Sequence, residues 1–109
     1  MSSVPGEDFI LDPLQLRKGA LTLRAINHKL RQQILQIIHK SGEITVTELF
    51  IKLRLEQSVA SQHLAILRKA GLVNTQRKGK FIFYSINYAR LKQIHDKVDE
   101  LLTGKKAEL

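Results

Sequence analysis

The chain has 109 residues, enough for one domain with a core of its own. Hydrophobic residues at 43% and charged residues at 26% exclude a disordered chain, and the absence of cysteine excludes disulfides, thiolate metal sites and cysteine-based redox sensing. The net charge of +8 is uneven: between residues 13 and 94 there are 15 Lys and Arg against three acids, a net of +12 that favours nucleic acid first and an anionic membrane second.

Residues 1–11, with Pro5 and Gly6 and no helical period, read as a flexible leader. "MSSVPGED" is acidic and lacks the apolar core of a signal peptide. No apolar run reaches the ~18 residues a membrane-spanning helix needs, so a cytoplasmic protein without membrane contact is expected.

Asp12-Pro13 is a helix start, with Asp12 as N-cap and Pro13 at the first helical position. This helix should run to about Asn27. Its Leu14, Leu16, Leu21, Leu23 and Ile26 cover more than one face, as expected of a helix with two neighbours, one of them another chain. "HKLRQQILQIIHKSG" is the next helix. Leu30, Ile34, Ile37 and Ile38 form its apolar stripe, and Gly42 closes it. "TVTELFIKL" opens with Thr45 and Glu48 at capping-box spacing and makes a helix of about two turns. "RLEQ" is then a tight connection.

The segment "SVASQHLAILRKAGLV" is the most informative. Stepping about 100° per residue from Ala60, Leu64 and Leu67 fall within about 40° of it, whereas Ser58, Ser61, Gln62, Ala65 and Lys69 fall roughly 100° or more away. A short helix, a tight turn and a second helix with a polar outer face form a helix-turn-helix, whose second helix enters the DNA major groove. Ser and Gln both donate and accept hydrogen bonds, which suits base edges, and the small Ala65 permits close approach. The face's expected DNA contacts are Gln57, Ser58, Ser61, Gln62, Ala65, Arg68 and Lys69. His63 lies on the flank of the core and reads as a packed, hydrogen-bonded histidine.

After Val73 the period changes to that of strands. "KG" at 78–79 marks a turn between strands of about 72–77 and 80–86. Arg77, Lys78 and Lys80 at that turn would meet the phosphate backbone, which makes the hairpin a wing. The last helix, "NYARLKQIHDKVDELL", has Asn87 as N-cap and Gly104 as its end. Its Leu91, Ile94, Val98 and Leu101 recur at helical spacing and, with Leu14 and Leu21, form the expected dimer interface. Residues 104–109 read as a flexible tail. The fold class is thus mainly α with a small β-hairpin: a winged helix-turn-helix of about five helices plus a two-stranded wing, in one domain over 12–103.

"SVASQHLAILRKAGLV", "RKGKFIFYSIN" and the upstream "HKLRQQILQIIHKSGEITVTEL" resemble the ArsR/SmtB family of winged-helix repressors over roughly residues 12–102. Ser61, His63, Leu64, Leu67 and Gly71-Leu72-Val73 are the most specific part. The resemblance implies a homodimer joined by its terminal helices, a near-palindromic operator and repression lifted by an effector, often a metal ion. Glu56 departs from the pattern, standing where Ser or Thr would cap better.

The family's metal-site patterns are missing. The segment before the recognition helix has no cysteine pair, and the last helix has Asn87 and Ala89 where the resemblance implies Asp-x-His. His95 with Asp99 could hold an ion weakly across two subunits, while His28 and His39 stand alone; zinc needs about three or four placed ligands. No metal or cofactor is expected, and the effector stays open. No nucleophile–base pair, phosphate loop or carboxylate dyad points to an enzyme. The partner expected is double-stranded operator DNA; a metal-responsive repressor and a winged-helix module for protein partners remain alternatives.

Overall fold

A computed structural model describes residues 11–104; the expected leader and tail, apart from Leu11 and Gly104, fall outside the described residues. Five helices and three strands follow in the order α1 (Pro13–Ile26), α2 (Lys29–Ser41), β1 (Glu43–Thr45), α3 (Val46–Leu53), α4 (Gln57–Lys69), β2 (Val73–Lys78), β3 (Phe81–Ile86) and α5 (Tyr88–Thr103).

Local signals set most boundaries. The Asp12 carboxylate accepts from the Leu14 N–H at 3.0 Å, which satisfies one of the open donors of the first turn of α1. Gly42 ends α2 at φ +79°, a conformation that costs glycine little. Thr45 and Glu48 close a reciprocal capping box at the start of α3. The Asn87 side-chain amide oxygen, Oδ1, caps α5 by accepting from the Arg90 N–H at 3.1 Å.

The core lies where α2, α3, α4 and the sheet meet. Ile34 and Ile38 of α2, Ile44, Leu49, Leu64, Leu67 and Leu72 are fully buried. At about 1.5–3 kcal/mol for each such side chain, these residues dominate the stabilisation of the fold. Helix α1 contributes little to it, since Ala25 is its one buried residue.

The sheet departs from the expected two-stranded wing. β1 adds a third antiparallel strand in the order β1-β3-β2, with Ile44 opposite Tyr84 and Thr45 opposite Phe83. Three residues are too few for strand alternation to register in the sequence, and β1 exists because β3 offers its free edge. The hairpin itself runs from Val73 opposite Ile86 to Lys78 opposite Phe81, with Gly79 at φ +62° in the turn.

Candidate nucleic-acid interface

Helices α3 and α4 make the helix-turn-helix. Arg54 takes the left-handed conformation at φ +54° between them, and the Leu55 N–H donates to the Phe50 carbonyl at 2.9 Å. Glu56 occupies the N-cap of α4 without a side-chain cap hydrogen bond. Ala60, Leu64 and Leu67 bury one face of α4 completely. Gln57, Ser58, Ser61, Gln62, Ala65, Arg68 and Lys69 are all exposed on the rest. The helix is thus anchored by its back while its polar side chains meet solvent.

The wing carries its cations at the tip. Arg77, Lys78 and Lys80 are exposed, and Arg77 Nε donates to the Gly79 carbonyl at 3.1 Å, which stiffens the turn. Lys78 is not wholly free: its Nζ donates to Glu43 Oε1 of β1 at 2.6 Å. It also sits 5.1 Å from the centre of the Phe83 ring, and Lys80 sits 5.4 Å from that of Phe81. Pairing with Glu43 follows from β1 and could not be read without it.

Arg31 belongs to no recognisable motif in the sequence, yet it joins α1, α2 and α4 behind the recognition face. It lies on the apolar stripe of α2 and is 7% exposed. Its Nε donates to the Ala25 carbonyl at 2.7 Å and Nη2 to the Arg24 carbonyl at 3.0 Å, so it captures the open C-terminal carbonyls of α1. Its Nη1 reaches His63 Nδ1 of α4 at 3.3 Å. The readable signal was an arginine one turn before Ile34 and Leu35, on the buried face. His63 is half-buried, and His28, whose Nδ1 caps α2 from 3.4 Å, lies with its ring centre 5.0 Å from that of His63. Burial, then His28 and the Arg31 guanidinium, hold the His63 imidazole below the ordinary histidine range.

The family model for bacterial regulatory proteins of the arsR family matches residues 28–75, from the N-cap of α2 into β2 and across the whole helix-turn-helix. The transcriptional activator HlyU of Vibrio cholerae is 40% identical over 75 residues, covering 69% of this chain and 68% of HlyU. The chain belongs to the arsR family. Among solved structures, it is similar to the transcriptional repressor PagR of Bacillus anthracis, with a TM-score of 0.63 and 30% identity over 80% of this chain and 99% of PagR. NolR from Sinorhizobium fredii matches with a TM-score of 0.67 and 32% identity over 86% of this chain and 96% of that one. This arsR-family chain is a DNA-binding transcriptional regulator with a winged helix-turn-helix fold.

The terminal helices show which apolar residues this regulator leaves uncovered. Leu14 and Leu21 of α1 are exposed, and so are Leu16 and Leu23 on roughly the opposite side of the same helix. Leu101 and Leu102 of α5 are 76% and 79% exposed. Ile94, expected in the seam between chains, is buried within the chain's own core, with Leu91 and Val98 packed at its edge. The period of α5 cannot distinguish these uses, because one stripe serves both.

His95 faces Asp96 rather than Asp99: its Nδ1 is 3.3 Å from Asp96 Oδ1. Lys92 bonds the other carboxylate oxygen at 2.8 Å, and the two bonds, Lys92 first, hold Asp96 below the usual carboxylate range. Among the described residues no three or more His, Cys, Asp or Glu form a group that could hold a metal ion. Nor is any described helix long and apolar enough to cross a membrane.

Proposed function

We propose that the protein is a homodimeric repressor that acts in the cytoplasm on a near-palindromic operator, with no metal cofactor and no catalytic chemistry of its own. One observation carries this reading: the exposed Ser58, Ser61, Gln62 and Ala65 share one face of α4 with Lys69, and further exposed cations stand at the tip of the wing. Side chains that hydrogen-bond base edges are thereby flanked by side chains that neutralise phosphates, as sequence-specific recognition requires. Gln57 and Arg68 extend the surface at the two ends of α4. Arg77, Lys78 and Lys80 supply its second phosphate contact.

Dimerisation supports the operator symmetry. On the side of α1 opposite Leu14 and Leu21, Leu16 and Leu23 are large apolar side chains in contact with water, as are Leu101 and Leu102 of α5. A two-fold pairing of the terminal helices would cover them, and Leu91 and Val98 would line the seam while Ile94 supports it from beneath. Two recognition helices related by a two-fold axis require half-sites with the same symmetry. Repression is proposed over activation because a dimer bound across a promoter excludes polymerase directly. PagR and the Bacillus subtilis protein SdpR are named transcriptional repressors, HlyU an activator.

The test is selection of bound fragments from genomic DNA, followed by transcription in vitro from a promoter that contains the recovered site. The reading expects a recovered motif with two-fold symmetry and reduced transcription on adding protein. Recovery of fragments with no common motif would overturn it, and increased transcription would make the protein an activator.

A further inference from the structure

Helix α1 leans on the rest of the chain chiefly through Ala25, and this leaves a groove of about 450 Å³ between α1, Arg31 and the far end of the recognition helix. Leu21 and Ile66 supply apolar walls from α1 and α4. Lys18, Arg24, Arg31 and Lys69 supply four positive charges, and no carboxylate lines the groove among the described residues. Arg31 is committed to two backbone carbonyls and His63. Lys18, Arg24 and Lys69 have no ion-pair partner among the described residues.

We propose that this groove binds a small amphipathic organic anion, an aliphatic or aromatic carboxylate, and that its occupancy weakens DNA binding. The volume falls in the range of about 300–1,000 Å³ common for small-molecule sites, and apolar walls with a few charged groups are their usual chemistry. A hydrocarbon body would cover Leu21 and Ile66, both exposed in the isolated chain. The carboxylate would sit among Lys18, Arg24 and Lys69. Charge complementarity selects this occupant over a neutral or cationic one.

Lys69 links the groove to the operator. It lines the groove and also belongs to the exposed basic end of α4. A carboxylate held by Lys69 takes from it the charge a DNA phosphate would use, so ligand and DNA oppose one another. By linkage, the DNA must then weaken ligand binding by the same factor. This regulatory half rests on the operator reading above; the binding half does not.

The experiment uses the full chain and no DNA at first. Decanoate, below its micellar range, is titrated against the fluorescent anion anilinonaphthalene sulfonate, with decyltrimethylammonium as the cationic control. We expect saturable displacement by decanoate, none by the cation, and about tenfold weaker decanoate binding in Lys18→Glu. Ile66→Trp, which fills the apolar wall, should lower affinity by a similar factor. Absence of saturable binding, equal displacement by the cation, or unchanged affinity in both variants overturns the site. Binding that appears only when Leu16→Asp/Leu23→Asp has made the chain monomeric overturns it too, because a second copy then occupies the groove. Duplex binding is measured next with and without saturating decanoate. A loss of about tenfold in the wild type that is absent in Lys18→Glu supports the regulatory half, and an unchanged duplex affinity overturns that half alone. A chain that binds no duplex at all would overturn the operator reading while the dye result stands.

Discussion

The Arg31 guanidinium and the His63 imidazole meet at 3.3 Å, so a buried cation of α2 holds a side chain of the recognition helix. Arginine can only donate, hence His63 Nδ1 accepts and its proton resides on Nε2. The same guanidinium bonds the Arg24 and Ala25 carbonyls at the end of α1. One side chain thereby fixes α1 and α4 to α2.

Arg31→Met should therefore destabilise the protein more than loss of a surface charge. It leaves the two α1 carbonyls without their donor, and hydrogen bonds to charged groups contribute about 1.5–3 kcal/mol each. We expect a loss of about 2–4 kcal/mol in urea denaturation. The amides in the last turn of α1 should lose hydrogen-exchange protection first. Unchanged stability would show that the carbonyls are equally served by water.

Stability should fall as His63 takes up a proton. Its pKa in the folded chain is lowered, so the unfolded chain binds the proton more readily. The contribution is present above the ordinary histidine value of about 6.5 and is lost as pH falls through the folded value. Denaturation at pH 7.5 and at pH 5.5 should show a larger acid loss for the wild type than for His63→Gln. An NMR titration that places His63 above the ordinary value would reverse the sign.

Glu43→Gln should strengthen DNA binding. The carboxylate holds Lys78 Nζ at 2.6 Å, and Lys78 must exchange that partner for a phosphate. Both side chains are partly exposed, at 47% and 41%, so the pair is worth about 0.2–1 kcal/mol, a gain in affinity of about 1.4- to fivefold. Lys78→Ala and Lys80→Ala should each weaken binding to all sequences and reduce the salt slope by about one. Ser61→Ala and Gln62→Ala should instead relax base preference. Binding isotherms across a salt series, on selected and scrambled duplexes, measure all three effects.

Leu23→Asp combined with Leu101→Asp should yield a folded monomer. Both residues are exposed within the chain, so the substitutions spare its core. Sedimentation velocity at micromolar concentration should show the wild type as a dimer and the variant as a monomer with weak operator affinity. Val98→Asp is a poorer test, since Val98 packs against the core.

Zinc should leave operator affinity within about twofold. His95 is directed to Asp96, already bonded by Lys92, and not to Asp99. A tenfold loss that disappears in His95→Ala, about 1.4 kcal/mol of coupling, would instead assign a metal sensor. Parallel titrations with zinc and with a chelator decide between them.

The five helices were legible because their signals are local. Asp12-Pro13, Thr45 with Glu48, Gly42, Asn87 and Gly104 act within a turn or two of their own positions, and the spacing of Ala60, Leu64 and Leu67 alone orients the recognition face. Tertiary structure decided what depends on distant partners. β1 needs the free edge of β3. Lys78 meets Glu43 across 35 residues, and Arg31 meets His63 across 32. Ile94 and Leu101 share one helical stripe, yet the packing of α5 buries the first and leaves the second in water. Periodicity specifies which face of an element is apolar; what that face meets depends on the other elements closing around it.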